Sequence, residues 1–156
     1  MYKRQTFDFS FNTTTSGDPG AGYVRLNDVS QNIATELYID SSDNGGTSID
    51  TFMQSIDSVT SSIKGYVRIT KKYDSSSFLL FQISDLSDNT GWWTLTIFNQ
   101  ASSTASPFSN ADDILASFVT SGNKGDTGAQ GTAGAQGAAG APGAAGAKGA
   151  PGAQGA

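Results

Sequence analysis

The run GNKGDTGAQGTAGAQGAAGAPGAAGAKGAPGAQGA, residues 122–156, carries glycine at every third position without exception: Gly122, Gly125, Gly128, Gly131, Gly134, Gly137, Gly140, Gly143, Gly146, Gly149, Gly152 and Gly155. Three polyproline-II-type chains can wind together only if glycine occupies their crowded axis, so an unbroken period of three predicts a collagen-like triple helix and a homotrimer. A flexible Gly/Ala-rich linker would need no such register. At about 3.1 Å per residue the run makes a rod of roughly 100 Å. Only Pro142 and Pro151 preset its backbone. Ordering each residue costs about 1–2 kcal/mol of backbone entropy, so another element is expected to hold the three chains together. Lys124 and Asp126 flank Gly125 in an arrangement that suits an interchain ion pair. An exposed pair contributes about 0.2–1 kcal/mol, enough to favour one stagger and too little to hold the trimer.

Residues 1–121 are left for that role, as a globular head and trimerisation domain, with residues 122–156 as its shaft. The head reads as all-β with one short helix. Phe7, Phe9 and Phe11 alternate with polar residues over 4–12, the period of a half-buried strand. Residues 13–20, with Asp18-Pro19-Gly20, form a turn cluster. Strands are predicted over 22–26, 36–40, 63–71, 78–84, 92–99 and 114–120, with 78–84 and 92–99 pairing as a hairpin across a loop at 85–91. Ile49, Phe52, Met53 and Ile56 fall at helical spacing behind Ser48, a candidate cap. Gly22-Tyr-Val-Arg-Leu26 recurs as Gly65-Tyr-Val-Arg-Ile69, and Asp40-Ser-Ser-Asp-Asn-Gly-Gly46 as Asp85-Leu-Ser-Asp-Asn-Thr-Gly91, which suggests two related strand-loop-strand units. Seven or eight short strands with turns between them imply a sandwich or jelly-roll-like domain. Three copies must bring their last strands to one axis, so part of each head's apolar surface is expected to be covered by its neighbours.

Composition narrows the function. The chain has no histidine and no cysteine, which removes the commonest general base and metal ligand, together with disulfides and thiolate sites. No enzyme activity and no cofactor are expected. Net charge is -5, without the clustered basic footprint of a nucleic-acid binder. No run of 18 apolar residues is present to span a membrane, and the apolar stretch of a secretory leader is missing after Met1. Ser61-Ser-Ile-Lys64 and Ser87-Asp-Asn89 match two acyl-transfer motifs. The third is absent, and Lys64 leads into a strand rather than a helix. Asp40, Ser42, Asn44 and Gly45 fit the opening of a calcium loop, but its twelfth position is Thr51 where a bidentate acid is needed. A plain turn is the better reading of these residues. Trp92 and Trp93 are neighbours in a strand and must face opposite ways: one for the core, the other for a partner surface or a sugar.

Several stretches taken together resemble a module that precedes collagen-like repeats in structural and fibre proteins of tailed phages, notably those of marine cyanobacteria. They are Asp18-Pro-Gly-Ala-Gly-Tyr-Val-Arg-Leu-Asn27, Glu36-Leu-Tyr-Ile-Asp40, Ser62-Ile-Lys-Gly-Tyr-Val-Arg-Ile69, Asp88-Asn-Thr-Gly91, Phe108-Ser-Asn110 and Ser117-Phe-Val-Thr-Ser-Gly-Asn-Lys-Gly-Asp-Thr-Gly128. The resemblance implies a trimeric fibre on the virion surface, assembled in the host cytoplasm. Its head would attach to other virion proteins of the capsid, neck or tail, and its shaft would project outward. The competing expectation is an adhesin whose head grips a host-surface glycan through Trp92 or Trp93.

Overall fold

A computed structural model describes residues 4–122. The glycines from Gly125 onward and the Lys124–Asp126 pair lie outside the described residues. In chain order the elements are β1 (Arg4–Phe11), β2 (Tyr23–Leu26), a 3-10 turn (Gln31–Ile33), β3 (Glu36–Asp40), α1 (Asp50–Asp57), β4 (Gly65–Lys71), β5 (Asp74–Asp88), β6 (Trp92–Ser102) and β7 (Asp113–Thr120). The head is therefore all-β with one short helix, as expected.

Its architecture corrects the expected sandwich or jelly roll. The strands close into one barrel in the order β1-β2-β3-β6-β5-β4-β7, and β7 pairs with β1 on one side and β4 on the other. Closure gives every strand a neighbour on both sides. A ring of seven strands cannot alternate direction all the way round, so at least one neighbouring pair must be parallel. That pair is β1 and β2, which meet only at Ser10↔Tyr23 and Phe11↔Val24; every other pair is antiparallel. A parallel connection normally needs a dozen or more residues. Here residues 12–22 suffice, because the chain has to double back by only a short distance. Arg25 holds this loop, donating from Nε to Asn12 Oδ1 at 2.9 Å and from Nη1 to the Ser16 carbonyl at 2.7 Å.

The alternation seen in sequence points the large side chains inward. Phe9, Phe11, Leu26, Leu37, Ile69, Phe81, Trp93 and Phe118 are fully buried, each stabilising the fold by about 1.5–3 kcal/mol relative to exposure. The barrel is stoppered at both ends. At one end α1 buries Met53 and Ile56, and Phe52 sits edge-on to Phe7 and Phe118 at 5.7 and 6.0 Å. Trp93 Nε1 donates to Asp50 Oδ1 at 2.9 Å, and Lys64 Nζ donates to the Asp57 and Val59 carbonyls at 2.6 and 2.7 Å. The cation thus answers the negative end of the helix. Ile49 rather than Ser48 is the cap residue, while Ser48 Oγ accepts from the Asp50 amide at 3.3 Å.

At the other end Phe108 packs tilted against Phe11, ring centres 5.4 Å apart, and Gln31 grips it by both backbone groups, Nε2 donating to its carbonyl and Oε1 accepting from its amide. The segment 103–112 is thereby tied over the barrel mouth.

Two strands run further than the sequence predicts. Bulges interrupt the β5–β6 ladder between Leu80 and Phe81 and between Ile83 and Asp85. An extra residue shifts the period by one, so Leu86 still points inward three residues after Ile83, and the strand continues to Asp88. The expected loop 85–91 shrinks to the turn Thr90-Gly91, both at positive φ, closed by the Asn89 amide on the Trp92 carbonyl. Positive φ at both central residues is the hairpin geometry whose twist matches the flanking strands.

The two Tyr-Val-Arg segments share their inward residues, Val24 and Leu26 against Val67 and Ile69, but little else. Gly22 is a left-handed turn residue, whereas Gly65 lies within a ladder between β5 and β7. A Cβ at Gly65 would stand 2.5 Å from the Val119 carbonyl oxygen and 3.3 Å from Thr120 Cα. Both atoms are backbone and cannot swing away. Gly65→Ala is expected to destabilise the head by about 1–3 kcal/mol, the usual cost of overpacking, read as a lower midpoint in urea unfolding. An unchanged midpoint would show that β4 and β7 separate there without cost.

Candidate functional site

The chain leaves the barrel beside the place where it enters. Arg4 opens β1 opposite Val119 near the end of β7, and the Ser121 amide donates to the Lys64 carbonyl. Gly122, the first glycine of the register, accepts from Ser61 Oγ at 2.8 Å and is otherwise open, with nothing within 4 Å of where a Cβ would stand. The exit thus lies at the α1 end, two residues beyond the last strand. Ser61 and Lys64, the pair of the acyl-transfer match, are both committed to backbone carbonyls here.

Beside the exit, the outer face of β1, β7, β4 and β5 holds a depression of about 400 Å³ lined by Arg4, Thr6, Tyr66, Arg68, Leu80 and Val119 among others. Tyr66 stands opposite Val119, and Leu80 opposite Arg68. The Arg68 guanidinium lies 4.6 Å from the centre of the Phe78 ring. Tyr66 and Arg68 belong to the repeated Tyr-Val-Arg segment, but nothing in the sequence marks Tyr66, Leu80 and Val119 as a group: their clustering exists only once the strands are in register.

The opposite mouth carries a second depression, of about 460 Å³, lined by Phe11, Leu26, Val29, Phe108, Asp28 and Asn110 among others. Val29 is 77% and nearby Ile33 62% exposed. The polar groups there are spent locally: Asp28 Oδ1 accepts from the Ser30 amide, Asn110 Oδ1 from the Thr13 amide, and Ser106 Oγ donates to the Val29 carbonyl.

The residues singled out in sequence separate. Trp93 is the inward tryptophan and is lost to any surface role, 1% exposed and bonded to Asp50. Trp92 is half-buried on the outer face, edge-on to Tyr38 at 5.7 Å. Tyr38 donates to Glu36 Oε1 at 2.7 Å, and burial, reinforced by that carboxylate, pushes its phenol up to about 12.

Asp40 and Asn44, of the calcium-loop candidates, are held by other groups. Asp40 Oδ2 accepts from the Ser42 amide at 2.9 Å, and Asn44 reaches away to β1, donating from Nδ2 to Asp8 Oδ1 and Ser10 Oγ at 3.2 Å each. Asp43 Oδ1 accepts from the Gly45 and Thr47 amides, both at 2.9 Å. The carboxylates close turns on their own backbone, as Asp and Asn do in loops. Among the described residues no group of three or more acidic side chains gathers as a metal site.

No family model, curated protein or solved structure matches the chain.

One ion pair ties β1 to the β4–β5 turn. Lys72 Nζ donates to Asp8 Oδ2 at 2.6 Å, which holds the Asp8 carboxyl below the usual carboxylate range, with Asn44 assisting and burial opposing; the same bond raises Lys72. A depressed carboxylate stabilises the fold above its unfolded value, about pH 4, and loses that contribution as pH falls through its folded value. The raised lysine contributes fully below about pH 10.4 and loses its part as pH rises further. Asp8→Asn should therefore lower Tm between about pH 5 and about pH 9, with the gap to the unaltered chain closing in acid. A gap independent of pH would show that the loss is one of packing rather than of charge.

Proposed function

We propose that this chain is a non-enzymatic, trimeric fibre subunit of a phage particle, with a β-barrel head and a collagen-like shaft. The observation that carries the reading is the unbroken Gly-X-Y register, which opens at Gly122 only two residues after β7 ends at Thr120. A free linker has no need of register, and a shaft this poor in proline needs a folded domain at its root to raise the local concentration of its strands. The likeness of the head segments to phage fibre modules supplies the virion setting. In this reading the subunit sits on the virion surface, is assembled in the host cytoplasm, and meets other virion proteins and two copies of itself. Lys124 and Asp126 assist the stagger where the triple helix begins.

A second reading is an adhesin whose head binds a host-surface glycan. What favours it is the depression at the mouth remote from the exit, with Val29 and Ile33 exposed beside it. Binding to a glycan array that Val29→Asp abolishes would select this reading. Trp92, half-buried against Tyr38, offers a sugar less surface than those residues do.

Sedimentation equilibrium of the full chain should give three times the chain mass, and circular dichroism should show a polyproline-type signal that melts cooperatively. Gly134→Ala should lower that melting temperature and leave the barrel transition in place, because any side chain at the axis disrupts the winding. A single-chain mass with no such signal would remove the trimeric reading.

A further inference from the structure

We propose that the outer face of β4, β5 and β7 beside the exit packs against a second copy of this chain, so that the heads themselves form the ring from which the shaft begins. The inference rests on the trimeric reading and adds which surface holds the heads together.

Chain length makes the first part of the case. Only Ser121 lies between Thr120 and Gly122, a span of at most about 7 Å. In a triple helix the glycines lie at the common axis. Three β7 ends must therefore gather round one point, and the outer faces flanking β7 are the surfaces brought together.

Side-chain chemistry makes the second. The outer face of a barrel in water should be polar at outward positions. β1 obeys this with Arg4, Thr6, Asp8 and Ser10. The neighbouring strands obey it only in part: Arg68 and Ser117 are polar, but β7 also presents Leu115 and Val119, β4 Tyr66, and β5 Phe78 and Leu80, these five all half-buried in the single chain. Strand register makes them one surface. Tyr66 lies opposite Val119, while Phe78 and Leu115 both lie opposite Thr70. Tyr66, Leu80 and Val119 line a depression of about 400 Å³ there, together with Arg4, Arg68 and Ser117 among others.

A threefold ring uses a heterologous interface, in which each copy meets its neighbour through two different patches. The flank of β4, β5 and β7 therefore faces a different patch of the neighbour, the α1 end of the barrel where Gln5 and Phe7 of β1 meet the helix. That patch has its own depression, of about 260 Å³, lined by Gln5, Phe7, Thr51 and Phe52 among others.

The test replaces Tyr66 by the photocrosslinker p-benzoylphenylalanine in the full chain, with Val29 at the far mouth replaced in the same way as the control. Sedimentation mass and far-ultraviolet circular dichroism are recorded on each protein. Irradiation should give covalent two- and three-chain products from position 66, attached to β1 or α1 of the neighbour, and single chains from position 29. Leu80→Glu placed beside the position-66 probe should cut the yield about tenfold or more, the effect of burying a charge at an interface centre. A three-chain mass with no covalent product from position 66, or with equal yields from 66 and 29, overturns this interface and leaves the trimer standing. A one-chain mass for the unaltered protein overturns both.

Discussion

Seven strands closed in a ring must contain a parallel neighbour pair, and this head meets that constraint with the shortest seam available. β1 and β2 touch over two residue pairs, so the connection between them can be a loop of 11 residues, 12–22, rather than a crossover helix. Everything downstream inherits the arrangement. β1 spends one edge on that brief seam, while its other edge pairs with β7 from Arg4↔Val119 to Ser10↔Asp113. The first and last strands become neighbours, and the chain enters and leaves at the same end of the barrel.

Closure alone would leave two open mouths, and the polar residues that seal them are few. Trp93 and Lys64 hold α1 over the exit end, and Gln31 holds Phe108 over the other. Each of these bonds adds about 0.5–1.5 kcal/mol net, and somewhat more where the partner is charged. Their larger effect is on position. They decide which apolar side chains become stoppers, and the stoppers in turn complete the burial of Phe7, Phe118 and Phe11.

The two ends of the barrel differ. One end delivers Ser121 and Gly122 next to a strand flank that carries Tyr66, Leu80 and Val119 at outward positions. The other has a shallow depression whose hydrogen-bonding groups are already turned inward on the loops. In the trimeric fibre reading the first end is where subunits join, and the second is the one left to meet the particle or a receptor.

The local patterns that depend on neighbours in sequence were legible without coordinates. Phe7, Phe9 and Phe11 announced β1, Ile49, Phe52, Met53 and Ile56 announced α1, and residues 36–40 matched β3, because one face of each element is buried and its period shows. The period failed where the ladder itself is irregular. The bulge that follows Ile83 shifts Leu86 out of alternation, so β5 looked finished several residues too early. Closure into a barrel was illegible for a different reason. Whether β7 pairs with β1 as well as β4 depends on hydrogen bonds between residues about a hundred positions apart, and no local pattern records them. The same holds for the candidate interface: Tyr66, Leu80 and Val119 are ordinary strand residues one by one. The sequence by itself determined the glycine register and the inward faces, since both are set by spacing along one chain. Only the tertiary structure decided the barrel, the shared end of entry and exit, and the apolar flank, since those arise from distant strands meeting in one register.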